Sequence, residues 1–240
     1  SSIFLSEKRF AEATRELSKA LEANAEDVSA RTALFNYYLG RRDRNSAREV
    51  VDEGLKALTD HPMLLTHQAM LYALENREAD ALESLARARA VNQDFLPALS
   101  LELRLHMTAN RLGQALELCE SYLARHPEDR EQLVTSASLL TSLGRTEEAG
   151  QRLRRAESLG SDRALILLVR QAIAEGRIAD AEKIFLDAMD KKPSAELRFR
   201  FAEFYLGHGM ADKAPALYTS IATQSPVETA PGAYPVYHSS

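Results

Sequence analysis

The side chains able to do chemistry in this chain are one cysteine, six histidines and many carboxylates and arginines, and their spacing limits each of them. His61 and His67 stand six residues apart, not the i, i+4 spacing that brings two imidazoles to one helical face for a zinc ion. Both are read as structural. Cys119 has no histidine–amide or histidine–carboxylate partner in its surroundings and falls in an apolar stripe, so it is read as core. The glycine pair in Gly207-His208-Gly209 follows no strand and lacks the third glycine of a nucleotide loop, which makes it a turn between helices. Glu147 and Glu148 open a helical stretch, where negative charge suits the helix dipole. Arg41, Arg42 and Arg44 follow one helical stretch and Arg152, Arg154 and Arg155 lie on another; these are read as solvated faces or partners of carboxylates. This inventory predicts no catalytic residue, no metal and no cofactor, and so no enzyme.

Something other than chemistry must therefore explain the elements that carry these residues. The chain is 45% hydrophobic and 27% charged, a globular rather than disordered profile. Its 10 glycines and 8 prolines are too few for the many turns of a sandwich or barrel, and Ala, Leu, Glu and Arg favour helix. The net charge of -5 argues against nucleic acid, which calls for a basic stripe. No apolar run reaches the length of a membrane span, so no direct membrane insertion is expected. The first residues lack a signal-peptide pattern, and a mature periplasmic chain would read the same. A soluble protein of the cytoplasm or periplasm is expected.

A repeat organises the chain. Ala13, Ala47, Ala81, Ala115 and Ala149 follow one another at 34 residues, and Ala181 and Ala214 continue after 32 and 33. Four residues beyond each lie Leu17, Val51, Leu85, Cys119, Leu153, Phe185 and Tyr218. Seven beyond lie Ala20, Gly54, Ala88, Tyr122, Ala156, Ala188 and Ile221. This is one face of a helix. Pro127, Pro193 and Pro226 each come twelve residues after the alanine, past the helix end. A second helical stretch precedes each alanine across a short link such as "LGRT" or "EGRI". The unit is a helix–turn–helix pair used about seven times. Its alanine is small because a neighbouring helix crosses there, and bulk would overpack the contact by about 1–3 kcal/mol.

This unit resembles the tetratricopeptide repeat family, over residues 1 to about 226. Nine residues before the alanine stand Phe4, Tyr38, Tyr72, Leu140 and Tyr205; twelve before stand Ala69, Ala137 and Ala202; five before, at the turn, stand Gly144, Gly176 and Gly209. Departures are Gln68 and Glu102 at an apolar place, His106 and Ala172 at the large one, and bulky Phe35 at a small one. Leu99, Leu101, Leu103 and Leu105 alternate with a strand-like period; their place in the array predicts a helix over 96–109. The resemblance implies an all-α fold, a right-handed α-solenoid of antiparallel pairs. Its repeats are a partial 1–27, then 28–61, 62–95, 96–129, 130–161, 162–194 and 195–226. The first is entered halfway along its first helix, which suggests a fragment or mature form of something longer. Residues 227–240 hold Pro231, Gly232 and Pro235 and are read as a flexible tail, or as a docking motif anchored by Tyr234 and Tyr237.

In the resembled family the first helix of each pair lines a concave groove. The implied inner wall comprises Asn36, His67, Met70, Arg104, Met107, Thr135, Ser138, Arg170, Arg200 and Glu203. Arg104 and Arg170, with Ser138 between them, would hold carboxylates of an extended peptide, and Met70 and Met107 would give adaptable apolar contact. The alternative is pairing within the chain, with Glu131, Glu196 or Glu203. A subfamily that clamps the C-terminal carboxylate of heat-shock chaperones has counterparts here in Thr32, Asn36, His67, Pro97 and Leu101; only Asn36 matches, so that role is not expected. The RNA-binding pentatricopeptide arrays need a basic inner face, which an acidic chain does not offer. The expected function is a scaffold binding a peptide or partner protein, within a bacterial assembly, secretion or export complex; the preference for Arg over Lys and the high Ala content fit a GC-rich bacterial gene. The alternative is the repeat region of a larger enzyme or outer-membrane exporter. A third reading is self-association through the ends or tail.

Overall fold

The computed structural model describes residues 2–224, with side chains described for 12–220. The tail at 227–240, with Tyr234 and Tyr237, lies outside the described residues, as do the side chains of Phe4 and Phe10. The described chain is all-α, with 13 helices: α1 (Ser2–Ala23), α2 (Val28–Gly40), α3 (Arg44–Ala57), α4 (Pro62–Leu74), α5 (Glu78–Val91), α6 (Leu96–Thr108), α7 (Leu112–Leu123), α8 (Arg130–Ser142), α9 (Thr146–Ser158), α10 (Asp162–Ala174), α11 (Ile178–Lys191), α12 (Ala195–Gly207) and α13 (Ala214–Gln224). The leucine-alternating stretch is helix α6, as its place in the array predicts. No helix among the described residues is long and apolar enough to cross a membrane.

Local chemistry sets the helix boundaries. Asp27, Asp43, Ser161 and Ser194 cap α2, α3, α10 and α12 by accepting from backbone N–H groups in the first turn. The turn inside each pair is fixed by one residue with positive φ, always five before the marker alanine: Arg42, Asn76, Asn110, Gly144, Gly176 and Gly209, at φ 56–75°. Glycine and asparagine suit that conformation. In α1 the same place holds Lys8, flanked by Glu7 and Arg9. All three favour helix, so α1 is a single helix of 22 residues and not the end of one helix followed by another.

The marker alanines behave accordingly. Ala47, Ala81, Ala115, Ala149 and Ala181 are wholly buried and Ala214 nearly so, whereas Ala13 on α1 is exposed. Val51, Leu85, Cys119, Leu153 and Phe185, four residues on, are likewise buried. Tyr218, their counterpart on α13, is 37% exposed and meets Phe199 edge-on.

Contacts divide the chain into two compact units, one of residues 1–127 with 138–145, the other of 128–137 with 146–240. In the first, Phe35, Ala47, Val51 and Leu71 form one cluster, and Leu65, Ala69, Ala81, Leu85, Ala88, Ala98 and Leu101 another. In the second, Phe185 stacks on Phe201 at 4.8 Å, with Phe204 and Tyr205 against them. The polar departures from the repeat pattern find partners: Glu102 accepts from Arg89 at 2.8 Å and Gln68 from Ser84 at 3.1 Å. Buried Arg31 is satisfied by carbonyls alone, donating to Ala25 at 2.8 and 3.1 Å and to Val50 at 3.1 Å.

Candidate binding site

The first unit contains an open hollow of about 550 Å³ built by α2, α4 and α6 and the turn into α3. Leu39 comes from the end of α2; Met70, Ala73 and Leu74 from α4; Leu101, Arg104, Leu105 and Thr108 from α6; Arg42 from the turn and Arg44 from the start of α3. Leu101 is buried and Met70, Ala73 and Leu105 half-buried, so the floor is apolar and partly covered, while Leu74 is 40% exposed. The volume falls in the range of ordinary ligand sites, about 300–1,000 Å³.

The turn places the two nearer arginines. The Arg42 N–H donates to Leu39 O at 3.0 Å and the Asp43 N–H to Tyr38 O at 2.9 Å, which closes α2 with Arg42 at φ 61°. The Asp43 carboxylate turns away to the start of α3, accepting from the Ser46 hydroxyl at 2.7 Å and the Ser46 N–H at 3.1 Å. Those bonds hold its pKa below the usual range. Arg44 Nη1 donates to Leu74 O at 3.1 Å, a carbonyl that the end of α4 leaves without a helical partner. Arg104 is exposed on α6, with Thr108 Oγ1 bonded to its carbonyl at 2.8 Å. Among the described residues no carboxylate lines the hollow. Neither Arg42 nor Arg104 forms an ion pair among the described residues. Nearby acids are engaged elsewhere: Glu75 with Arg48, Glu78 with Arg111, and Asp80 with Arg77 at 2.7 Å.

Of the ten residues on the inner wall that the repeat resemblance implies, the hollow brings together Met70 and Arg104. Asn36 is exposed on α2 and Met107 on α6, outside the lining. Ser138 is half-buried in the first unit. Thr135, Arg170, Arg200 and Glu203 belong to the second unit. There Thr135 donates to Glu131 O at 2.9 Å and Arg200 pairs with Glu196 at 2.7 Å, while Arg170 and Glu203 are exposed.

His67 is not an open wall residue. It is buried and stacked on Phe35, ring centres 4.0 Å apart and planes 12° apart, with Nδ1 lacking a hydrogen-bond partner. Burial, with His61 adding repulsion, lowers its pKa to about 4. The cause is Phe35, whose ring fills a place that holds alanine in three other units and takes the flat imidazole as its neighbour. The turn arginines are exposed, as a solvated face requires, and none of them meets a carboxylate among the described residues: Arg41 lies over the Tyr37 ring at 5.8 Å, Arg44 caps α4, and Arg42 stands over the hollow. Arg42 and Arg44 were the lining residues hardest to foresee; their one sequence signal is arginine at and beside the turn register that other units fill with glycine or asparagine. Cys119 is buried, as its stripe predicts. Among the described residues no cluster of His, Cys, Asp and Glu could hold a metal.

No family model and no curated protein matches the sequence. Solved structures match the fold. A tetratricopeptide repeat protein from Parabacteroides merdae gives a TM-score of 0.54 at 20% identity, over 89% of this chain and 80% of that one. PilW, a type IV pilus biogenesis factor, gives 0.53 at 17%, over 84% and 94%. Yeast Tom70 gives 0.63 at 19%, over 87% of this chain and 46% of its own.

Proposed function

We propose that this chain, which has the fold of tetratricopeptide repeat proteins, is an interaction module that holds a peptide or a partner protein in the α2–α4–α6 hollow. One observation carries the reading: three successive first helices line one open hollow with an apolar floor and a polar rim. Open apolar surface with a polar rim is what a macromolecular interface requires. Asn36 and Met107, exposed on the same helices, extend the surface. A bacterial assembly, secretion or export complex is the setting we favour, supported by the likeness in fold to PilW, a type IV pilus biogenesis factor. A second reading, an array that positions another part of a longer chain, is supported by Tom70, of which the matched region makes up 46%.

The test is site-specific crosslinking. A photoreactive residue at Leu74 is expected to capture one polypeptide that the same group at exposed Ala86 on α5 does not. Leu74→Asp should then weaken affinity for that polypeptide tenfold or more. Equal labelling at the two positions would overturn the reading.

A further inference from the structure

We infer that the occupant of the hollow is an acidic segment with a large apolar side chain, its carboxylates held by Arg42 and Arg104 and its apolar group by Met70, Leu101 and Leu105. This rests on the reading that the hollow holds a polypeptide, and adds what that polypeptide must carry.

The first ground is charge. Three guanidinium groups line the hollow with no carboxylate, in a chain whose net charge is -5. Pairing with an acid is common among the arginines of this unit, though Arg31 is held by carbonyls and Arg41 lies over the Tyr37 ring. Arg48, Arg77, Arg87, Arg89, Arg111 and Arg125 all meet acids. At the hollow the local acids are turned away: Asp43 caps α3 and Glu75 is taken by Arg48. A carboxylate arriving there would meet charge-assisted donors that no acid among the described residues competes for.

The second ground is backbone conformation. Among the six turns of this register, only this one puts a long side chain at positive φ; the others use Asn76, Asn110, Gly144, Gly176 and Gly209. Arginine there is strained relative to those residues, and strain of this kind persists where a side chain has a task. Its task would be to carry a cation over the apolar floor. Arg44, tied through Nη1 to Leu74 O, keeps the rim in place and leaves the rest of its fork as a third donor. The apolar floor distinguishes a peptide from a small anion, because a phosphate or sulfate would gain nothing from Met70, Leu101 and Leu105.

The experiment is selection of random dodecapeptides displayed on phage against the whole chain, followed by affinities of the enriched peptides made with blocked ends. Enriched peptides are expected to set Asp or Glu beside Leu, Ile or Phe. Arg42→Gln and Arg104→Gln should each weaken them at least tenfold, as should changing the peptide acid to its amide, with no further loss when the matching arginine is already gone. Both arginines are exposed and unpaired, so unchanged helical circular dichroism is expected for the variants. Enriched peptides without acids that Leu74→Asp abolishes would sink the acidic assignment and leave the hollow as a peptide site. Peptides indifferent to all three variants, or no enrichment at all, would count against both.

Discussion

His67 lies flat on Phe35 with a buried Nδ1 that nothing satisfies, and its pKa of about 4 is set first by burial and then by His61. In the unfolded chain the same ring titrates near 6.5. The unfolded state therefore binds more protons between those values, so stability is present above about 6.5 and lost as pH falls toward 4. The loss is about 3 kcal/mol by pH 4. His67→Phe keeps the ring contact, removes the orphaned nitrogen and should flatten this part of the profile; urea midpoints of both proteins between pH 7 and 4 check it, and parallel profiles would refute it. Residue by residue, two of the ten residues that line the hollow were legible in the sequence. Met70 and Arg104 follow from the repeat, because register fixes which face of a first helix is open. His67 shares their helix or its neighbour but not their exposure, since a single bulky residue at position 35 decides where its ring goes.

At the scale of the element, the marker alanine is informative only when a partner helix crosses it. Ala115 is wholly buried at the α6–α7 crossing, while Ala13 occupies the same register on α1 and is exposed. Ala115→Leu should cost about 1–3 kcal/mol by overpacking, and Ala13→Leu less than about 0.5 kcal/mol, as for a surface change. Chemical denaturation of the two variants makes the comparison; similar losses would mean that register alone sets the contact. Gly54 shows the same rule from the other side. A Cβ there would sit 2.9 Å from Arg31 Cδ and from Leu64 Cδ1, so Gly54→Ala should destabilise the α2–α3–α4 contact by about 1–3 kcal/mol, checked by thermal melting. The strand-like leucines of α6 illustrate why periodicity within a segment can mislead: Leu99, Leu101 and Leu103 are all buried because helices pack on more than one side of α6.

Across the whole molecule, repeats contact chiefly their neighbours, so stability is close to a sum of local terms. Phe201 is buried in the second unit between Phe185 and Tyr205, at 4.8 and 4.4 Å. Phe201→Ala should cost about 3–5 kcal/mol and should open α11 to α13 to hydrogen exchange while α4 to α6 keep their protection. Protection falling evenly through both units would contradict this. By itself the sequence determined the all-α class, the helix pairs from α2 onward and the turns between them. Small residues, caps and turn formers act through neighbours a few positions away, and a period repeated this often writes them many times over. Tertiary structure alone decided that His67 is sealed beneath Phe35 and that Arg42, Arg44 and Arg104 share a rim without a counter-charge. These depend on which side chains meet across helices and which acids are already engaged, and no local pattern records either.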